Sequence, residues 1–392
     1  MTHKLSLLAV LIGVYLVLLG ATLAWGDRNN IASAANPTPT VIATIGVGDA
    51  PSCGAVNSVT NRVYVANAGS KDVSVINGAT NVEVTRVPLG CIPEIPNCVA
   101  VNEVTNHIYV SCFYSGTVSV IDGATNAVVG TPIPLGGGPR GVAVDSATGC
   151  AYVADTTGSV SVICPSATPT KIPVGSLPHV VAVNSTTQRV YVANANDDNV
   201  SVINSTTNAE VTRVPVGDYP VFGLGVDPTT NRVYVSNYAS DDVSVINGQN
   251  NVELTRVPLP TGSAPSGVAA NSTTNHIFVE RAYASDVWAF DGVTYANITT
   301  VAASYGAGCV AANPVTNRVY KCDYGTDTVL VIQDYPLSVG GIAEHAQLEP
   351  GARSSAHGSP APNAFVLAGL ATGGALLLAA GGWYARRRWS GF

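Results

Sequence analysis

The sequence predicts an all-β fold, a seven-bladed β-propeller of four-stranded blades. A six-residue motif, first seen as Arg-Val-Tyr-Val-Ala-Asn at 62–67, occurs seven times, and its aromatic positions are 39 to 45 residues apart. These positions are Tyr64, Tyr109, Tyr152, Tyr191, Tyr234, Phe278 and Tyr320. A period near 43 residues that holds several short strands is typical of a propeller blade. The chain has only 11% charged residues but 39 Gly and 24 Pro, which suits an all-β domain rich in turns.

An apolar stretch from Leu5 to Trp25 follows Lys4 near the amino terminus. It is typical of a secretory signal peptide, although it is also long enough to remain in the membrane as an anchor. An Ala-x-Ala pattern at 32–34 offers a cleavage site. Residues 1–34 are therefore interpreted as a signal peptide or an uncleaved N-terminal anchor.

One repeat contains four predicted strands. A first strand of small residues, such as 141–144, leads into the strand with the recurring Tyr, and strands such as 200–203 and 209–214 follow. Pro215 and Gly217 end the fourth strand because they break the ladder. A small residue at one position of every first strand suits a crowded hub where seven strands converge. These residues are Ala55, Ala100, Ala143, Ala182, Gly225, Ala269 and Ala311.

The predicted propeller spans 41–335, and its two ends complement each other. The last unit stops after the strand at 328–332 and lacks a fourth strand, whereas residues 41–48 precede the first unit and resemble one. No blade can bury both of its faces alone, so the ring must close. We expect the N-terminal strand to pair with the last blade.

The carboxyl-terminal part predicts attachment to a membrane. Residues 336–363 contain Pro and Gly without periodicity and are interpreted as a flexible stalk. Residues 364–385 form an apolar span long enough to be a transmembrane helix. Three arginines at 386–388 follow at once, which predicts a cytoplasmic tail at 386–392 and places the propeller at the cell surface.

The recurring motif, with its Val-Ser-Val-Ile-Asn partner strand, resembles the YVTN family of β-propeller repeats. The best matches are RVYVAN…DVSVINGATNVEVTRVPLG at 62–90, RVYVAN…NVSVINSTTNAEVTRVPVG at 189–217 and RVYVSN…DVSVINGQNNVELTRVPL at 232–259. The resemblance implies a seven-bladed propeller of the kind found in cell-surface and surface-layer proteins of archaea and bacteria. Units three, six and seven depart from it, with Asp155, Arg281 and Asp323 at the usual Asn.

Two disulfides are predicted from symmetry within a hairpin. Cys150 and Cys164 flank their turn at positions equivalent to Arg62 and Asn77, so the two sulfurs should face each other on neighbouring strands. Cys309 and Cys322 are nearly symmetric about theirs and are paired for the same reason.

The pairing of the other four cysteines stays open. Cys98 with Cys112 resembles the second predicted pair but is one residue out of register, which leaves Cys53 with Cys91. A local loop between Cys91 and Cys98 is the alternative. An oxidising location would suit all eight cysteines.

Four residues are candidates for a ligand site at the hub. Arg140 and His179 each follow a proline where neighbouring first strands begin, and Tyr219 and Phe222 lie nearby in the next unit. Loops at the mouth of a hub commonly hold ligands, and the aromatic pair could supply apolar contacts. Acidic residues in the turns before the third strands could bind Ca²⁺, but turn formation is the favoured interpretation. No catalytic residue, metal site or cofactor is predicted, because no Ser-His-Asp order, paired carboxylate or HExxH occurs.

These features predict a membrane-anchored extracellular propeller that acts as a surface-layer or adhesion module or binds a ligand. Its expected partners are the membrane, through the C-terminal helix, and other surface proteins or glycans. A net charge of −7 without basic clusters argues against nucleic acid. The alternative is a lactonase-like hydrolase, but Ala, Gly and Cys at the hub favour binding over catalysis.

Overall fold

The computed structural model describes residues 38–89, 95–304 and 308–335, and this part of the chain forms seven antiparallel sheets. The first strands of consecutive sheets contact one another, and the seventh returns to the first, so the sheets form a ring. The predicted all-β, seven-bladed propeller is therefore confirmed. Over these residues no helix is long and apolar enough to cross a membrane. The predicted segments 1–34, 336–363, 364–385 and 386–392 lie outside the described residues.

Blades 1 to 3 follow the N-terminal strand β1 (Thr40–Gly46). Blade 1 is β2 (Pro51–Asn57), β3 (Arg62–Asn67), β4 (Asp72–Asn77) and β5 (Val82–Pro88). Blade 2 is β6 (Pro96–Asn102), β7 (His107–Cys112), β8 (Thr117–Asp122) and the short β9 (Ala127–Val128) and β10 (Ile133–Pro134), which both pair with β8. Blade 3 is β11 (Pro139–Asp145), β12 (Cys150–Asp155), β13 (Ser159–Ile163) and β14 (Thr170–Pro173).

Blades 4 to 7 complete the ring. Blade 4 is β15 (Pro178–Asn184), β16 (Arg189–Asn194), β17 (Asn199–Asn204) and β18 (Ala209–Pro215). Blade 5 is β19 (Leu224–Asp227), β20 (Arg232–Asn237), β21 (Asp242–Asn247) and β22 (Val252–Pro258). Blade 6 is β23 (Pro265–Asn271), β24 (His276–Arg281), β25 (Asp286–Asp291) and β26 (Asn297–Ala302). Blade 7 is β27 (Val310–Asn313), β28 (Arg318–Asp323) and β29 (Thr328–Gln333), with β1 as its fourth strand.

The ring closes through β1, as the incomplete last unit predicts. Strand β1 pairs antiparallel with β29, from Thr40 opposite Gln333 to Gly46 opposite Thr328. Ile45 is buried in the cluster that also contains Val329 and Val331. The two ends of the repeat region are thus joined within one sheet.

Side chains of the second strand in each blade alternate between the two neighbouring blades, because successive residues of a strand point to opposite faces. The recurring Tyr points toward the next blade. The single hydroxyl proton of Tyr152 is shared between two acceptors in blade 4, the Ser205 carbonyl (3.1 Å) and Asn208 Oδ1 (2.9 Å). The hydroxyl of Tyr234 donates to the Gly292 carbonyl in blade 6 (3.1 Å). The motif therefore connects the blades as well as filling the space between them.

The Asn that ends the first strand makes a second recurring link. In blade 1, Asn57 Oδ1 accepts from the amides of Val59 and Thr60 and so forms its own turn. Its Nδ2 donates to Oδ1 of Asn106 in the corresponding turn of blade 2, at 2.8 Å. Equivalent bonds join Asn184 to Asn231, Asn271 to Asn317 and Asn313 to Asn61. The accepting residues Asn61, Asn106, Asn231 and Asn317 have positive φ, a conformation that Asn tolerates better than most residues.

The structure contains both disulfides predicted from hairpin symmetry, Cys150–Cys164 and Cys309–Cys322, with Cα separations of 4.2 Å and 5.0 Å. Disulfides fit an oxidising environment.

The expected pairings of Cys98 with Cys112 and of Cys53 with Cys91 are wrong, and so is the alternative loop between Cys91 and Cys98. Cys53 instead bonds to Cys98, across blades 1 and 2, with the Cα atoms 4.8 Å apart. The physical reason is that first strands of adjacent blades converge on the axis. Cys112 is also disulfide-bonded.

Ring closure predicts unequal roles for two isoleucines of β1. Ile45 is 5% exposed and Ile42 is 43% exposed. We expect Ile45→Ala to lower the free energy of unfolding by about 2–5 kcal/mol, because it leaves a cavity beside β29. Ile42→Ala is the matched control and should change it by less than about 0.5 kcal/mol. Chemical denaturation of both variants measures this, and equal effects would contradict closure through β1.

The interblade bonds of the recurring Tyr predict a difference between two Tyr→Phe variants. Tyr152→Phe removes the shared hydrogen bond to blade 4 and should destabilise by about 1 kcal/mol. The buried hydroxyl of Tyr191 has no hydrogen-bond partner among the described residues, so Tyr191→Phe should be neutral or stabilising. Thermal unfolding distinguishes the two, and a larger loss for Tyr191→Phe would refute the assigned contacts.

Candidate functional site

The mouth of the central channel is built from one position of the repeat. This position lies three residues before the small residue of each first strand, where the pairing with the second strand is irregular in five blades. A β-bulge re-aims a side chain, and six of the seven residues at this position line one cavity. The seven occupants are of six residue types: Ser52, Asn97, Arg140, His179, Phe222, Ser266 and Gly308.

A cavity of about 190 Å³ lies at this mouth. Residues of six blades line it: Ser52, Cys53, Asn97, Cys98, Arg140, Gly141, His179, Val180, Phe222, Gly308, Cys309 and Tyr324. Two disulfides, Cys53–Cys98 and Cys309–Cys322, form part of the wall. The wall is therefore cross-linked next to the polar residues.

Arg140 supplies a half-buried positive charge to the cavity. Its guanidinium carbon lies 4.5 Å from the ring centroid of Phe113, a cation–π contact. Burial lowers the pKa of Arg140 from its usual value, and the nearby Tyr219 and Tyr114 oppose this. Its Nε is buried without a hydrogen-bond partner, and no salt bridge to Arg140 occurs within the described ranges. The side chain thus has donor capacity for an anion.

His179 is an uncharged neighbour of this cation. Burial and, to a smaller extent, the charge of Arg140 lower the pKa of His179 to about 3, against the opposing effect of a hydrogen bond with the Val221 backbone. At neutral pH the imidazole therefore carries no charge. It packs edge-on against Phe222, with ring centroids 5.3 Å apart.

Aromatic side chains extend from the mouth across the same face. Phe222 contacts Tyr238 at 5.5 Å, and Tyr238 contacts Tyr283 at 6.2 Å, with their hydroxyl oxygens 2.7 Å apart. Phe113 and Tyr114 form a similar pair next to Arg140. We call these residues, with Tyr219 and Tyr324, the aromatic face. Large exposed apolar surfaces of this kind are typical of binding sites.

The four residues predicted for the site lie at or beside this mouth. Arg140, His179 and Phe222 line the cavity, whereas Tyr219 is 38% exposed on the rim and interacts electrostatically with Arg140. Sequence reasoning missed Phe113 and Tyr324, which follow the second strands of blades 2 and 7. Strand pairing could have located them, because the second strand of a blade runs antiparallel to the first. The residue after a second strand therefore lies beside the start of the first strand, at the mouth.

The mouth presents the guanidinium of Arg140 beside apolar rings, an arrangement suited to contact with an anion. Among the described residues, no group of three or more His, Cys, Asp or Glu side chains could bind an ion. The acidic turns instead bond within the protein, as when Asp72 and Asp242 accept from Asn67 and Asn237 at 2.6 Å.

Comparisons with known proteins agree with the fold. A family model described as a YNCE-like beta-propeller matches residues 142–260. Kuenenia stuttgartiensis hydrazine synthase contains a chain similar to this one, with a TM-score of 0.63 and 16% identity, covering 78% of this chain and 98% of that chain. At that identity the likeness shows the fold alone. No curated protein sequence matches. The family match and the seven blades fit a YVTN-type β-propeller repeat protein, as the recurring motif predicts.

The neutral state of His179 predicts a pH dependence of stability. Its pKa is lowered on folding from 6.5 to about 3, so the unfolded chain binds this proton more readily. The stability contributed by the neutral ring is present above pH 6.5 and is lost as the pH falls toward 3. His179→Gln should therefore flatten the pH dependence of the unfolding free energy in this window.

NMR titration provides a direct check. The imidazole of His179 should keep the chemical shifts of a neutral ring down to pH values well below 6. Arg140→Gln should raise the pKa of His179, because it removes a neighbouring positive charge. Ordinary titration of His179 near 6.5 in the folded protein would contradict the assigned environment.

Proposed function

We propose that the protein is a membrane-anchored extracellular binding module whose mouth takes a carboxylate-bearing glycan of a cell surface. The observation that supports this most strongly is a half-buried guanidinium without a carboxylate partner in a cavity beside exposed aromatic rings. The proposal assigns Arg140 to the acid group and the aromatic face to the sugar rings.

Arg140 is matched to a carboxylate by geometry and charge. A guanidinium presents parallel N–H donors that fit the two oxygens of a carboxylate. Partial burial strengthens that contact because fewer waters compete for it. Because the His179 imidazole is neutral, it adds a polar group to the mouth without adding a second positive charge.

The aromatic face offers flat apolar surface next to the charge. Tyr283 and Tyr324 are 56% and 51% exposed, and Tyr114 is 63% exposed. Tyr side chains combine a large contact area with a hydroxyl that forms hydrogen bonds, and they lose little conformational entropy on binding. Sugar rings present C–H faces and hydroxyl groups that such a surface can contact.

The sequence and the disulfides support the proposed location. The apolar spans and the arginines at 386–388 support anchoring with the propeller outside, and the disulfides suit an oxidising environment. The lactonase-like alternative would need carboxylates or metal ligands at the mouth. The residues that line the cavity in the described part of the chain include no Asp or Glu.

Binding of an oligogalacturonate, compared with the same oligomer after methyl esterification, tests the proposal. Calorimetry with the protein should show binding of the free acid and at least tenfold weaker binding of the ester, since a hydrogen bond to a charged group contributes about 1.5–3 kcal/mol. Arg140→Gln should abolish this preference, and Tyr283→Ala should weaken both probes.

Arg256→Gln is the matched control. Arg256 carries the same charge but is exposed and paired with Glu253 at 2.9 Å on an outer strand, β22. The control should bind both probes as the unchanged protein does. Equal affinity for the acid and the ester would reject the assignment of Arg140 to a carboxylate. Binding of an acidic peptide, with no binding of any acidic glycan tested, would reject the assignment of a glycan.

A further inference from the structure

Three charged side chains lie completely buried between blades 6 and 7. Glu280 and Lys321 are each 1% exposed and Asp323 is 0% exposed. Charged residues are rarely so buried, because removing them from water is costly unless they are closely paired. Such a cluster therefore requires a physical explanation.

All three residues depart from the repeat that surrounds them. Lys321 stands at the fourth motif position, which is Val in the other six copies. Glu280 stands at the fifth position, where the other copies have Ala, Ser or Cys. Asp323 replaces the usual Asn at the sixth. The departures occur on facing surfaces of one interface, which indicates that they act together.

Strand alternation brings them together. Glu280 shares its face of β24 with Phe278, which packs in one cluster with Val310 and Val319 of blade 7. Lys321 and Asp323 share the face of Val319 on β28. As a result, Lys321 Nζ lies 3.3 Å from Glu280 Oε1 and 3.6 Å from Asp323 Oδ2.

The carboxyl group of Glu280 is surrounded by hydrogen-bond donors. The Gly308 amide donates to both of its oxygens, at 3.1 Å and 3.0 Å, and Ser266 Oγ donates to Oε2 at 3.0 Å. Both carboxylate oxygens of Asp323, in contrast, are buried and accept no hydrogen bond from the described residues. The carboxyl group of Glu280 is therefore polarised by donors, while that of Asp323 faces the Lys321 ammonium without a hydrogen bond from the described residues.

We propose that Lys321 and Glu280 join in an amide bond, an intramolecular isopeptide cross-link between blades 6 and 7, and that Asp323 accepts the ammonium proton. The new bond links Lys321 Nζ to Glu280 Cδ. The bond that breaks joins Cδ to the carboxyl hydroxyl, which leaves with the second amine proton as one water molecule.

The surroundings favour each part of this reaction. Burial raises the pKa of Glu280, against the opposing effect of Lys321, and the protonated acid is the better electrophile. The Gly308 and Ser266 donors stabilise the negative charge that develops on oxygen during attack. The ammonium, the Asp323 carboxylate and the protonated Glu280 become an amide and a neutral acid, so two buried charges disappear.

Peptide mapping of the full chain provides the test. After denaturation, reduction and alkylation, trypsin should fail to cleave at Lys321 and should release a branched peptide. Its mass should equal that of the peptide containing Glu280 plus that of the peptide that continues uncleaved through Lys321, minus one water, and fragmentation should locate the bond at these residues. Recovery of both peptides as linear species from folded protein would overturn the proposal, as would a bond to Asp323 instead.

Variants separate the roles within the cluster. Lys321→Arg keeps the charge but should yield linear peptides. Asp323→Asn should reduce the linked fraction at least tenfold in protein that still folds, and full linkage there would overturn the role of Asp323. Lys171 is an internal control, since its Nζ lies 2.8 Å from Asp155 but its side chain is 45% exposed, and it should stay unlinked.

Discussion

The structure depends on the burial of both faces of every blade against its neighbours. The recurring Tyr, the Val residues beside it and the third-strand Val residues are almost all less than 9% exposed, and each cluster draws members from two adjacent blades. A single sheet could not cover this surface, so the blades are stable only in sequence around a ring. Strand β1 completes the last blade by pairing with β29, and so joins the two ends of the ring.

Burial between the blades also determines how polar side chains are arranged there. Most buried donors and acceptors in proteins are hydrogen-bonded, and within the repeat Asn67 donates to Asp72 and to Ser74. Units three and six, which lack the Asn, have an ion pair at this position. Asp155 pairs with Lys171, and Arg281 pairs with Asp286 through two short contacts. In these two units the charged residue that replaces the Asn therefore still has a polar partner.

The mouth positions have the same place in every blade, but their side chains differ in chemistry. The equivalent mouth positions hold a cation in blade 3, a neutral imidazole in blade 4 and a phenyl ring in blade 5. The seven first strands place them around one axis, so the symmetry of the ring produces an asymmetric site. The rigid frame, cross-linked at Cys53–Cys98 and Cys309–Cys322, holds these groups in place.

The period of the Tyr motif by itself determined the fold class, the number of blades and the closing strand, because each depends on local pattern and on chain order. Hairpin symmetry likewise predicted Cys150–Cys164 and Cys309–Cys322, since those partners are neighbours on paired strands. Prolines before Arg140 and His179 marked the start of the inner strands and so the position of the mouth. Cys53 and Cys98 were mispaired because only convergence at the axis brings equivalent residues of successive blades together. The contacts of Phe113 with Arg140 and of Glu280 with Lys321 were likewise decided by tertiary structure, because each joins two blades whose separation a linear repeat does not specify.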